Sequence, residues 1–161
     1  MLRVSKLTDY AVVVLTRLSE GGPCPEQAVQ TSPAISHLTG VPEPTVAKVL
    51  KALGTSGLVI SQRGARGGYR LSRPLETITV ADVITAVDGP IALTACVDGG
   101  SSGCEVHGMC AVKGRWDLVN DQIRQALGAI SLADMRDASI PTAFRTPFVP
   151  AEGAQTDRTF A

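Results

Sequence analysis

The sequence predicts a mainly α-helical fold carrying one small β-hairpin, and three observations lead there. Apolar residues recur at helical spacing in four stretches between Ser5 and Val87 and again from Ala111 to Leu127. Two short strand-like runs, Leu58-Val59-Ile60 and Tyr69-Arg70-Leu71, flank a connector rich in glycine and arginine. Glycine or proline stands at the junctions, as in Gly21-Gly22-Pro23, Gly40 and Gly89-Pro90.

The first helix starts from Ser5, whose hydroxyl can accept from an open N–H of the first turn. Its apolar residues are Leu7, Val12, Val14, Leu15 and Leu18, with Asp9 and Tyr10 in the opening turns. Ser32-Pro33 reads as the N-cap and first residue of a short helix through Ile35 and Leu38, ended by Gly40. Val41-Pro42-Glu43-Pro44 then makes a tight turn, because a residue before proline is pushed out of the helical region. The next helix runs from Pro44 to about Ser56, its apolar face built of Val46, Val49, Leu50 and Leu53. Thr45, Lys48 and Lys51 project from its other faces. A short helix, a turn with glycine and a second helix with small polar and basic exposed residues match a helix-turn-helix, and the hairpin that follows reads as its wing.

Thr79 caps a compact helix to Val87 in which Val83, Ile84 and Val87 can close the core, and Asp88-Gly89-Pro90 stops it. A Gly/Ser-rich loop follows. The helix from about Ala111 to Leu127 carries Val112, Trp116, Val119, Ile123 and Leu127 every three or four positions, the seam expected of a helix packing on a partner. Packing within its own chain would use the same stripe. Dimerisation is favoured because helix-turn-helix proteins commonly read two-fold-related half-sites. Ser131-Leu-Ala-Asp134 resembles one more N-terminal cap, and the remainder, with Pro141, Pro147 and Pro150, is expected to be a disordered tail. The fold class is therefore mainly α with a β-hairpin wing: a winged helix-turn-helix plus a long dimerisation helix. The expected organisation is a DNA-binding domain over 1–90, a cysteine loop over 91–110, a dimerisation helix and short cap over 111–136 and the tail over 137–161.

At 161 residues and 44% hydrophobic, the chain suits one compact domain with an appended helix and tail. It contains no run of eighteen apolar residues, and Arg3, Lys6, Asp9 and Arg17 interrupt its start, so neither a membrane span nor a signal peptide is expected. A reducing cytoplasm follows, which argues against structural disulfides. The formal net charge of zero hides an asymmetry: residues 1–73 hold nine Lys/Arg against four Asp/Glu, and residues 74–161 hold six against eleven. A basic front half can meet phosphates, although such splits also arise by chance.

Two features carry chemistry. At the wing tip, Arg63 and Arg66 lie among Gly64, Gly67 and Gly68, a composition that lets backbone approach a phosphate chain while a guanidinium enters the minor groove. A solvated surface hairpin would look alike. In the loop, Cys96, Cys104 and Cys110 fall within fifteen residues. Soft thiolates suit zinc, Cu(I) or iron–sulfur clusters, and gaps of seven and five residues depart from the closer pairs usual for zinc. Three unrelated thiols are the plain alternative. Cys24, between two prolines, has no assigned role.

Leu7-Thr-Asp-Tyr-Ala11, the Gly40-Val41-Pro42 turn, the segment Gly64-Ala-Arg-Gly-Gly-Tyr69-Arg-Leu71, the Val80–Asp88 helix and the three cysteines together resemble the Rrf-type winged helix-turn-helix regulators, the group of IscR, NsrR and RirA. The likeness runs from about Met1 to Met135. The wing, the Cys104-Glu-Val-His-Gly-Met-Cys110 segment and Ser131-Leu-Ala-Asp-Met135 are most similar to regulators of SUF-type iron–sulfur assembly.

This resemblance implies an iron–sulfur cluster held by Cys96, Cys104 and Cys110, as [2Fe–2S] or [4Fe–4S]. The histidine that IscR-like proteins place three residues after the third cysteine is Lys113 here, a poor ligand when protonated. Asp9, matching a helix-1 aspartate that NsrR-like members supply from the partner subunit, and His107 are the remaining candidates, with Glu105 weaker. As ordinary residues, Asp9 would be a helix N-terminal acid and His107 a solvent-exposed loop histidine. For DNA the resemblance implies Pro44, Thr45 and Lys48 in the major groove and Arg63 in the minor groove, and Lys51 and Arg66 are assigned to phosphate. The resulting expectation is a homodimeric, iron–sulfur-sensing repressor of iron–sulfur assembly genes that binds double-stranded operator DNA. Two rivals are a thiol-redox or nitric oxide sensing regulator and a protein-interaction module. An enzyme is not expected: there is no Ser-His-Asp set, no phosphate-binding loop and only two histidines.

Overall fold

The computed structural model describes residues 3–20, 29–64, 67–94, 97, 111–112 and 114–137. The elements are α1 (Lys6–Ser19), α2 (Ser32–Thr39), α3 (Glu43–Thr55), β1 (Val59–Gln62), β2 (Gly68–Leu71), a 3₁₀ turn at Leu75–Thr77, α4 (Val80–Asp88), α5 (Arg115–Gly128) and α6 (Leu132–Asp137). None of the described helices is long and apolar enough to cross a membrane.

α1 is the axis of the core. Ser5 Oγ accepts from Thr8 N at 3.1 Å, and Ala11, Val14, Leu15 and Leu18 are completely buried against α2, α3 and α4. The apolar stripe expected on α3 is buried in full at Val46, Val49, Leu50 and Leu53. Burying side chains of this size contributes roughly 1.5–3 kcal/mol each, which is why helical periodicity decides the orientation of α3.

α2 ends at Gly40 as expected but departs from expectation at its start. Its cap is Thr31, not Ser32: Thr31 is extended (φ −83°, ψ 155°) and its hydroxyl accepts from Ala34 N at 3.3 Å. Ser32 is already helical and Pro33 sits beside it in the first turn, where a missing N–H costs nothing. Ile35 is buried, whereas Leu38 is 51% exposed.

β1 and β2 pair antiparallel, with Val59 opposite Leu71 and Gln62 opposite Gly68. The free edge of β2 takes one further residue: Gln30 N donates to Tyr69 O at 2.9 Å and Tyr69 N to Gln30 O at 2.8 Å. The wing is thereby bonded to the segment that leads into α2. α4 opens with a reciprocal cap, Thr79 Oγ1 accepting from Asp82 N and Asp82 Oδ2 from Thr79 N.

α5 begins at Arg115 rather than Ala111, because Gly114 at its N-cap is left-handed (φ 73°) and the chain cannot continue helically through it. Of the expected stripe, Val112, Trp116 and Val119 are exposed and Ile123 and Leu127 half-buried. The chain then returns to the core. Val80 N donates to Ile130 O and Leu132 N to Ile78 O, a short antiparallel contact that delivers Leu132 and Ala133 into the same core as α1. Ser131 caps α6 as the sequence indicates, accepting from Asp134 N at 3.0 Å.

Candidate nucleic-acid interface

The turn between α2 and α3 is built from side-chain bonds as well as glycine. Gly40 takes the left-handed conformation (φ 72°) and donates to Ser36 O; Ser36 Oγ donates to Val41 O at 2.7 Å, and Thr39 Oγ1 to Ile35 O at 2.7 Å. Val41 is buried beneath the turn. With both its backbone and its apolar residue fixed, the turn sets the angle at which α3 leaves α2.

Burial of Val46, Val49, Leu50 and Leu53 forces the remaining positions of α3 outward. Pro44, Lys48 and Lys51 are exposed at spacings of four and three, hence on one face, and Thr45 is half-buried one turn before Lys48. Both lysines are therefore exposed on the same face of α3 as Pro44. The wing follows without a linker of any length: Leu58 N donates to Leu53 O and β1 starts at Val59. Arg63, directly after β1, is exposed, and Gly67 N donates to Gly64 O at 2.8 Å to close the hairpin. Arg66 lies outside the described residues.

Close backbone approach is what the wing glycines provide. A Cβ on Gly67 would lie 2.5 Å from Gln62 O, and one on Gly68 2.5 Å from Gln30 O. Any side chain there would push the hairpin apart or break its bond to Gln30.

Of the expected metal ligands, Asp9 is exposed in the first turn of α1, at the rim of a groove of about 750 Å³ lined also by Lys6, Val12, Val80, Ile84 and Met135. Cys96, Cys104, His107 and Cys110 lie outside the described residues, as do Glu105, Lys113 and Cys24. Among the described residues, no three His, Cys, Asp or Glu side chains gather as a metal site would need.

Two residues that sequence reasoning did not single out hold the root of the cysteine loop. Asp88, the last residue of α4, accepts from Thr8 Oγ1 at 2.8 Å and from Ser5 N at 3.4 Å. Asn120 of α5, 1% exposed, accepts from Leu93 N at 3.1 Å and donates to Ile91 O at 3.0 Å. The segment 88–93 is thus bonded to α1 on one side and α5 on the other. The sequence signal for Asn120 was weak: an amide inside an otherwise amphipathic helix.

Comparison with known proteins gives this geometry a context. The family model for Rrf2, described as an iron-dependent transcriptional regulator, matches residues 4–138. The transcriptional regulator IscR of Xenorhabdus nematophila is 32% identical over 137 residues, covering 83% of this chain and 79% of that protein. Among solved structures, T. potens IscR is 30% identical with a TM-score of 0.54, covering 84% of this chain and 86% of that one. CymR, the global cysteine regulator of B. subtilis, superposes with a TM-score of 0.61 at 24% identity, a likeness of fold, covering 84% of this chain and 96% of that one.

Proposed function

The chain belongs to the Rrf2 family of iron-dependent transcriptional regulators, and we propose that it is a homodimeric, iron–sulfur-sensing repressor of SUF-type iron–sulfur assembly genes. DNA binding and transcription regulation are the business of the family; the sensing chemistry is the step beyond. One observation carries it: three cysteines within fifteen residues, placed between a winged helix-turn-helix and a helix whose apolar stripe is largely exposed.

The donor set fits an iron–sulfur cluster. Cys96, Cys104 and Cys110 would supply three soft thiolates, and Asp9 of the partner subunit, or His107, the fourth position. Asp9 is exposed on α1, so a neighbouring copy can reach it. When bound, the cluster supplies a redox- and iron-responsive centre that is lost or altered when iron is scarce or oxidants are present. The chain's own part is mechanical and electrostatic. Lys48, beside Pro44 and Thr45, meets base edges in the major groove; Arg63 enters the minor groove; Lys51 and Arg66 neutralise phosphate. α5 supplies the contact between copies through the exposed part of its stripe, Trp116 and Val119. The state of the cysteine loop sets the placement of α5, and with it the spacing of two recognition helices.

The test joins spectroscopy to binding. Protein purified without oxygen should show charge-transfer absorption with matching iron and sulfide, and its affinity for operator DNA should change on cluster loss. A Cys96/Cys104/Cys110 triple serine variant that binds the same duplex with unchanged affinity under all redox conditions would exclude the sensing role. A second reading, a thiol-redox regulator on the same DNA-binding scaffold, is favoured by one departure, Lys113 where IscR-like proteins carry histidine. Iron-free protein that resists reconstitution yet responds to oxidant would select it.

A further inference from the structure

α5 meets the rest of the described residues through an unusual contact. Among its described residues, the one that is buried is polar: Asn120, 1% exposed, with Ile123 and Leu127 half-buried beside it. Among the described residues the partners of its amide are main-chain groups. It accepts from Leu93 N at 3.1 Å and donates to Ile91 O at 3.0 Å, pairing with two main-chain groups as a neighbouring strand would.

Apolar contacts are non-directional and tolerate sliding and tilting. An amide held by two main-chain groups does not, because distance and angle are both constrained and a buried group left unpaired is costly. Slipping α5 by one residue would move Asn120 by about 1.5 Å and turn it by about 100° away from both partners.

We infer that Asn120 is a positioning residue that fixes the pitch of α5 against segment 91–93, and thereby sets which half-site spacing the dimer accepts. The inference rests on the homodimer reading given above. α5 has 14 residues, so it is about 21 Å long. A tilt of about 10° carries its far end about 3.6 Å, close to the roughly 3.4 Å rise of one base pair. A loosened amide therefore acts on spacing before it acts on base recognition, which resides on α3.

The experiment uses the full chain and duplexes selected by the wild type from a randomised pool, rebuilt with one base pair added to or removed from the spacer. Asn120→Leu deletes both bonds at similar volume; Asn120→Ser, smaller and able to retain one bond or admit water, serves if the leucine variant does not fold. Helix content and sedimentation confirm a folded dimer. The wild type should discriminate between spacings by about tenfold or more. In the variants that ratio should fall by about threefold or more, while affinity for an isolated half-site holds. A merely structural role would lower the active fraction and leave the ratio unchanged, and a folded variant that keeps the wild-type ratio within about twofold overturns the inference. A wild type that is monomeric, or indifferent to spacing, removes the dimer reading itself, an outcome visible without any variant.

Discussion

Thr8 Oγ1 donates to Asp88 Oδ2 at 2.8 Å, joining the first turn of α1 to the last residue of α4 across eighty residues of chain. Thr8 is 2% exposed, and the carboxylate also accepts from Ser5 N at the positive end of α1. Thr8→Val removes the donor while keeping the shape, and should lower stability by about 1 kcal/mol, read as a shift of the urea midpoint with unchanged slope. Asp88→Asn should cost less in the Thr8→Val background than in the wild type. Additive losses in that double-mutant cycle would show that the contact contributes nothing.

The two wing glycines should separate stability from binding. Gly68→Ala drives a Cβ to 2.5 Å from Gln30 O and 2.8 Å from Val29 Cγ1, so the bond between the wing and the segment before α2 must yield. A loss of roughly 1–3 kcal/mol is expected in urea unfolding, the usual range for overpacking. Gly67→Ala strikes Gln62 O and Gly64 O at the hairpin tip, away from the core. Its urea midpoint should fall less than that of Gly68→Ala while duplex affinity falls several-fold, because the tip carrying Arg63 is displaced.

What could be read from the sequence was what periodicity and caps encode. Val46, Val49, Leu50 and Leu53 were legible because burial of one helix face imposes a repeat, and Ser5, Thr79 and Ser131 because each stands one residue before such a repeat. Thr31 was missed because Ser32-Pro33 offers an equally good local signal, and only the backbone geometry separates them. The pairing of Gln30 with Tyr69 is a single bridge between residues far apart in sequence, with no pattern to announce it. Asn120 left only a weak signal for a similar reason: its partners are the main-chain groups of Ile91 and Leu93, which side-chain patterns do not mark. The lysines and Arg63 were legible as exposed cations, and the fold adds that the turn before α3 and the short step to β1 place them on one continuous unit.

Leu132 measures how far α6 belongs to the DNA-binding core. It is completely buried and enters through the bonds between Ile78, Val80 and residues 130–132, after the whole of α5 has been traversed. Leu132→Ala should cost about 2–5 kcal/mol, as for a core leucine. A loss below about 1 kcal/mol would mean that α6 can leave without disturbing the core.

Acid should loosen α6 by a route that can be isolated. The Ser131 hydroxyl, and then its backbone N–H, hold the Asp134 carboxyl below its ordinary value of 3.8, and the Arg136 guanidinium does the same for Asp137. A carboxyl with a lowered folded-state pKa stabilises the fold fully above its unfolded value and loses that contribution as pH falls through the folded value. The melting temperature of the wild type should therefore exceed that of Ser131→Ala most at near-neutral pH, with the gap narrowing below pH 3.8. Both groups are exposed, so the change is small. A gap that is constant across the carboxylate range would assign the whole effect of Ser131 to its pH-independent cap on Asp134 N.

Salt dependence should sort the exposed residues of α3 and the wing by what they touch. Each Lys or Arg that neutralises a phosphate contributes about one unit to the slope of log affinity against log salt concentration. Lys51→Ala should lower the slope by about one while weakening operator and unrelated duplex alike. Thr45→Ala carries no charge change, so its slope should hold; if Thr45 meets a base edge, discrimination at one operator position should fall by about 1–3 kcal/mol. Lys48→Ala should do some of both, since Lys48 is exposed one turn after Thr45. Should Lys51→Ala relax sequence preference and Lys48→Ala change only the slope, the two lysines would have exchanged roles, and α3 would lie in the groove with its second half rather than its first against the bases.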